Sequence, residues 1–193
     1  MELNTYPLVC TRGVVLYPNQ EIVIDVGRDT SVHAVENAQD NYDKKICLFS
    51  QKELEQENPG KEDIYPVGTL CEVRHIRRFD NFLRVKFRGI KRVKLNNWIN
   101  GSLSDLAEVE ILESEKQDAV EEEALIRMIA DELDRMQGQD RFVTKEIVME
   151  ISKGMGGEFL SDKAVQGLPL DIERKQQYLE TLGVNDRLMM LLQ

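Results

Sequence analysis

The chain has 193 residues, 41% of them hydrophobic and 31% charged, which suits a soluble globular protein with core material enough to fold without disulfide or metal staples. A formal net charge of −10 argues against non-specific binding to nucleic acid or to an anionic membrane as a main role. Cysteines number three (Cys10, Cys47, Cys71), each in an apolar strand-like run, so they read as free buried thiols in a reducing compartment. No basic-then-apolar leader occurs, and no apolar run approaches the roughly 18 residues of a bilayer span. The expected location is therefore the cytoplasm, with no membrane partner.

The charge is unevenly placed. Residues 1–112 hold 15 basic and 17 acidic side chains and residues 113–193 hold 10 and 18, and the pattern changes from strands to helices at the same point. This predicts an α+β chain of two domains, 1–112 rich in β-structure and 113–193 helical. In the first, LVC (8–10), GVVLY (13–17), EIVIDV (21–26), KICLF (45–49) and GTLCEVRHI (68–76) read as strands. Pro18-Asn19, Asn58-Pro59-Gly60, Pro66 and Asp80-Asn81 separate them as turn signals. One helix interrupts over 30–39, with Thr30 or Ser31 as N-cap and Val32, Val35 and Ala38 on one face. Many strands with one helix predict an antiparallel, barrel-like sheet covered on one side.

RRFDNFLRVKFRGIKRVKL (77–95) gathers eight basic residues around Asp80. Leu83, Val85 and Phe87 alternate with Arg84, Lys86 and Arg88, and Val93 and Leu95 resume the alternation, the period of half-buried strands. A three-residue turn over Gly89–Lys91 would pair Phe87 with Val93 and Val85 with Leu95, making a hairpin. That register sets Arg88 against Arg92 and Lys86 against Lys94, where like charges repel. The next strand, LAEVEIL (106–112), offers Glu108 and Glu110 as partners, so the basic stripe reads as structural ion pairing. DNA or other nucleic-acid binding through residues 84–94 is the disfavoured alternative, because stacking aromatics are sparse and no RNA-recognition or helix-turn-helix signature occurs.

In the second domain, residues 114–136 predict a helix with Val120, Ala124, Met128, Ile129, Leu133 and Met136 on one stripe and Glu121 to Glu123 near its positive end. A second helix is predicted over 144–153, stopping at the glycines of GMGG (154–157). A third is N-capped by Asp171 and ended by Gly183 as C′, and a fourth begins near Asn185-Asp186. Leu188, Met189, Leu191 and Leu192 form an apolar run without a cap, which predicts a helix continuing into a longer protein.

Motifs for catalysis are missing. There is no Gly-Lys-Ser or Gly-Lys-Thr, no C-x-x-C, no H-E-x-x-H and no G-x-S-x-G. GMGG follows a helix rather than a strand and reads as a loop, not a phosphate cradle. His33 and His75 lie apart in the sequence, in no ligand spacing, and read as ordinary packing or surface. The chain alone is expected to be no enzyme, to bind no metal and to need no cofactor.

PLVCTRGVVLYPNQEIVIDVGRDTSVHAVENA (7–38) resembles the start of the Lon protease family: Pro-Leu, Arg12, an aromatic-Pro pair, then Val-Gly-Arg and Ser leading into a helix. YPVGTLCEV (65–73), the Asp80-Asn81 turn and RGIKRVKL (88–95) resemble the family's next blocks, and LPLDIERKQQYLETLGVNDRLMMLL (168–192) its helical segment preceding the ATPase. The resemblance implies a β-rich substrate-binding domain followed by a helical bundle. It also implies a parent that is an ATP-dependent serine protease with a Ser-Lys dyad, using ATP and Mg, assembled as a homohexamer and degrading misfolded, damaged and selected regulatory proteins. Its ATPase and dyad motifs are carried onto no residue of this chain. The sequence departs from the family's pattern between Asp162 and Leu168, where it is several residues shorter, and in 51–66, which keeps only the acidic, Pro-containing character.

A module that captures unfolded proteins needs accessible apolar patches on a stable scaffold, since exposed hydrophobic side chains distinguish an unfolded chain from a folded one. The candidates are apolar residues at loops and turns: Tyr17, Pro18, Ile22, Ile64, Tyr65, Phe79 and Phe82. Ile22 and Phe82 also fit as buried strand starts. A stand-alone binding protein sharing the β-domain but lacking an ATPase is the alternative function.

Overall fold

The computed structural model describes residues 4–136 and 145–193, which fall into two compact units, Met1–Leu112 and Glu113–Gln193. The first contains strands β1 (Asn4–Thr11), β2 (Glu21–Val26), β3 (Lys45–Ser50), β4 (Val67–Arg78), β5 (Leu83–Ile99) and β6 (Leu106–Leu112), with helix α1 (Asp29–Asn41) between β2 and β3. Their order is β2-β5-β4-β3-β1-β6, and β5 also pairs with β6, so five strands close into a ring and β2 pairs with β5 alone. Four of the pairings that make the ring are antiparallel, but β1 and β3 run parallel, so the sheet is mixed. The turn signals could not reveal that pair, because its connection passes through α1.

β3 explains the apolar run KICLF. Ile46 and Leu48 enter one core with Val9, Val26, Val85 and Phe87, against which Ala34, Val35 and Ala38 of α1 pack. Cys47 and Phe49 enter a second core with Leu8, Leu70, Val93, Leu95 and Val109. A strand buried on both faces has no polar side to show. Helix α1 starts earlier than expected, its N-cap is Arg28, and neither Thr30 nor Ser31 caps it.

No hairpin forms at Gly89. β5 is one strand of 17 residues, pairing with β2 through Leu83–Arg88 and with β6 through Arg92–Ile99. Opposite it Leu70 faces Lys91 and Cys71 faces Gly89, so Ile90 is an extra residue, a bulge that bends the strand. Gly89 is needed for a close approach: a Cβ there would lie 2.2 Å from the carbonyl oxygen of Tyr17. With the turn gone, Arg92 sits mid-strand between β4 and β6 and is only 2% exposed. The GVVLY segment is not a strand either. The Val14 carbonyl accepts hydrogen bonds from Thr11 Oγ1 (2.8 Å) and Ser50 Oγ (2.6 Å), and that of Leu16 from Thr69 Oγ1 (2.5 Å). Side-chain hydroxyls there replace a ladder.

The second unit contains α2 (Ala119–Met136), α3 (Lys145–Ser152), α4 (Gly157–Gly167), α5 (Ile172–Glu180) and α6 (Val184–Leu191). Its core is Leu125, Ile129, Ile147, Leu160, Val184 and Leu188. The α2 stripe is rotated from the expected one: Leu125 and Ile129 are buried, whereas Val120 and Met128 are 78% and 56% exposed. Asp118 caps α2, its carboxylate accepting the Glu121 N–H at 2.8 Å, so the helix starts after the expected Ser114. Residues 114–117 instead dock on the α5–α6 turn, where Gln117 Oε1 accepts the Asn185 N–H at 2.9 Å. Helix α4 was not foreseen. Asp171 does cap α5, accepting the Arg174 N–H at 2.8 Å, but Gly183 (φ −64°) opens α6 rather than closing α5.

Candidate functional site

β4 and β5 are joined by the turn Phe79–Phe82, closed by the Phe79 N–H donating to the Phe82 carbonyl at 2.9 Å. Ring closure across so short a turn sets the two side chains side by side: the centroids are 4.7 Å apart and the planes 12° from parallel. Both rings are partly exposed, and Asp80 and Asn81 at the tip are exposed. Arginines flank the stack. The Arg77 guanidinium lies 5.1 Å from the Phe79 centroid, and that of Arg84 lies 5.4 and 5.7 Å from Phe79 and Phe82. A hollow beside the rings is lined by Gly27, Asp29, Val32 and Leu83. An apolar patch flanked by guanidinium groups can take aromatic or aliphatic side chains.

The turn is tied to β2. Arg84 donates to both carboxylate oxygens of Asp25, at 2.7 and 2.8 Å, and its hydrogen bonds hold the Asp25 carboxyl below the usual carboxylate range. Lys86 meets Glu21 at 2.6 Å and lowers that carboxyl in the same way. These β2 acids are the partners of Arg84 and Lys86, in place of the expected Glu108 and Glu110, because β2 rather than β6 lies beside that half of β5. Lys94 does stand opposite Glu110 on β6.

The other candidates lie elsewhere. Tyr17 is 0% exposed and Ile64 1%, and Pro18 is buried, so none of the three offers a surface in this conformation. Tyr17 and Pro18 back onto Gly89, and Ile64 fills the second core. Ile22 is half-buried against the first core opposite Phe87. Tyr65 is partly exposed, its N–H donating to the Ser50 carbonyl at 2.9 Å. Of the seven candidates, Phe79 and Phe82 are stacked ring on ring. Val23 was missed by sequence reasoning. It is 55% exposed on β2, and its position between Glu21 and Asp25 on the charged face of the alternation was the available signal.

The GMGG loop leads into α4. Gly157 begins α4, but its N–H donates to the Glu122 carboxylate at 2.9 Å, so an anionic group already occupies that position. Among the described residues no cluster of His, Cys, Asp and Glu is arranged to hold a metal ion, and no helix is long and apolar enough to cross a membrane. His33 lies on α1 and His75 on β4. Burial pushes the Cys10 thiol up to about 12, partly opposed by Arg28, and raises Cys47 and Cys71 as well.

Residues 5–193 match the family described as the ATP-dependent protease La (LON) substrate-binding domain. Lon protease of Syntrophomonas wolfei is 33% identical over 191 residues, covering 97% of this chain and 23% of the relative. That of Buchnera aphidicola from Acyrthosiphon pisum is 30% identical over 192 residues, covering 99% of this chain and 25% of the relative. The chain thus spans about a quarter of the length of these relatives. The N-terminal domain of the Mycobacterium avium complex Lon protease superposes with a TM-score of 0.78 at 18% identity, covering 98% of this chain and 96% of that one, a likeness of fold.

Proposed function

The chain belongs to the substrate-binding domain family of the Lon proteases, and from that premise we propose that it captures exposed apolar segments of unfolded or damaged proteins for a larger ATP-dependent protease. The observation that carries this reading is the Phe79–Phe82 stack, two large apolar rings held partly open to solvent at a strand turn. A folded protein buries such side chains, so a surface that gains by covering them discriminates in favour of unfolded chains. The parent in this proposal is a cytoplasmic, homohexameric serine protease with a Ser-Lys dyad, using ATP and Mg. None of that chemistry is assigned to a residue here.

Several features support capture of protein over capture of nucleic acid. Arg84 and Lys86 are engaged by Asp25 and Glu21, and Arg92 is buried. A single patch binds weakly, because a disordered partner loses conformational freedom when held. Several copies held together would raise the effective concentration. The test is binding of fluorescein-labelled, reduced and carboxymethylated lysozyme to the 193-residue chain beside native lysozyme. Binding of the denatured form alone, persisting in moderate salt, is expected, since apolar burial worth about 25 cal/mol per Å² is not screened as charge is. Equal binding of the two forms would sink the mechanism.

A further inference from the structure

We propose that the free edge of β2 is a second capture element, which takes an extended segment of an unfolded polypeptide as an added strand. This rests on the reading of the chain as a receptor for unfolded protein, and adds a location and a chemistry to it. Among the described strands β2 is the one with a single partner, β5; every other strand has two or more. The Gly89 N–H donates to the Gln20 carbonyl at 2.9 Å, and the register continues Ile22 with Phe87, Ile24 with Val85 and Val26 with Leu83. Antiparallel pairing alternates, so Ile22, Ile24 and Val26 turn their main-chain groups to β5. Those of Val23 and Asp25 then face away from it, along the open edge.

Open edges are ordinarily guarded by charge, proline or a bulge. Here the guarding charges of Glu21 and Asp25 are compensated by Lys86 and Arg84 of β5, and the residue between them is the exposed Val23. Alongside the edge runs a groove lined by Val9, Thr11, Val14, Ile24 and Val26. Gly27 lines both that groove and the hollow beside Phe79 and Phe82, so a strand laid along β2 toward Val26 leads to the aromatic pair. The occupant is set by hydrogen-bond complementarity. An extended segment offers N–H and C=O groups at alternate residues whatever its sequence, and a folded protein has already paired its own.

Val23→Pro removes the outward N–H, keeps apolar bulk and leaves the ladder to β5 intact. Val23→Ala trims the side chain and keeps the donor. With reduced, carboxymethylated lysozyme as probe, Val23→Pro should weaken binding about three- to tenfold and Val23→Ala about twofold or less. Amide exchange at Val23 and Asp25 of the parent chain should slow as the probe is added, a readout that holds even if the proline variant does not fold. Probe binding without protection at those two amides would overturn the edge while leaving the aromatic pair as the site. Protection that rises with the concentration of the chain alone would assign the edge to a second copy and equally overturn the proposal. An absence of any probe binding by the parent chain would remove the reading on which it rests.

Discussion

Arg84 and Asp25 form a two-point clasp between neighbouring strands, with hydrogen bonds of 2.7 and 2.8 Å, while the same guanidinium lies over the rings of Phe79 and Phe82. One side chain thereby links β2, the open edge, to the aromatic turn. Asp25 should titrate below the ordinary carboxylate range, and in Arg84→Gln its midpoint should rise, as followed by carboxyl NMR. Because the folded-state midpoint is depressed, the clasp's contribution is present at neutral pH. It is lost as pH falls through that lowered midpoint. An unshifted Asp25 in the parent chain would show the clasp to be open in solution.

The basic stripe is a structural feature on this account. Arg84→Gln with Lys86→Gln should leave the chain folded by circular dichroism, since both pairs are surface-exposed and such pairs are weak. Neither the parent nor the double variant should bind duplex DNA tightly. Binding that is steeply salt-dependent and lost in the variant would promote the nucleic-acid reading instead.

Gly89→Ala should be strongly destabilising. The new methyl would meet the Tyr17 carbonyl oxygen at 2.2 Å and its carbon at 2.8 Å, and both are backbone atoms that cannot swing aside. A loss of about 2–4 kcal/mol in urea unfolding is expected. A change within error would mean that the strand and the Tyr17 segment separate easily.

The local signals in the sequence were legible where one residue type forces one structure. Asp171 was readable as a cap because a short carboxylate before a helical run has few other uses, and KICLF as a buried strand because it has no polar alternate. Gly89 misled for a physical reason. Glycine serves both a tight turn and a close backbone approach, and only the distant Tyr17 decides between them. The same ambiguity misplaced Arg92 and the partners of Arg84 and Lys86. In the site, the Phe79–Phe82 turn was readable from Asp80-Asn81, whereas the burial of Tyr17 and Ile64 depends on packing by segments far away in the chain.

Arg187 is the polar centre of the helical unit. It is 0% exposed and donates to the Thr181 carbonyl at 2.9 Å, to that of Leu182 at 3.3 Å, and to Ser161 and Ser114 at 3.2 Å, with the Asp162 carboxylate 3.9 Å away. Arg187→Ala should cost about 3–5 kcal/mol by leaving these buried groups unmatched. Helical circular dichroism against urea would measure it. A loss below about 1 kcal/mol would contradict the central placing of this residue.

The cysteines report on the cores. Iodoacetamide at pH 8 should leave Cys47 and Cys71 unmodified in the native chain and label them after unfolding, because burial disfavours the thiolate. Their raised folded-state values mean that stability is fully present below the unfolded thiol midpoint of about 8.5 and declines as pH rises above it. Rapid native labelling at mass-spectrometric resolution would show the sheet opening more readily than its packing implies.

Capture of unfolded protein by the aromatic turn is the central claim, and the most direct measurement is the affinity of Phe79→Ser with Phe82→Ser for reduced, carboxymethylated lysozyme. Both rings are partly exposed on a surface turn, so the double variant should keep the parent's circular dichroism spectrum. Its affinity should fall about tenfold or more, by the loss of two large apolar contacts. A folded double variant that binds the denatured protein as tightly as the parent chain does would contradict the account.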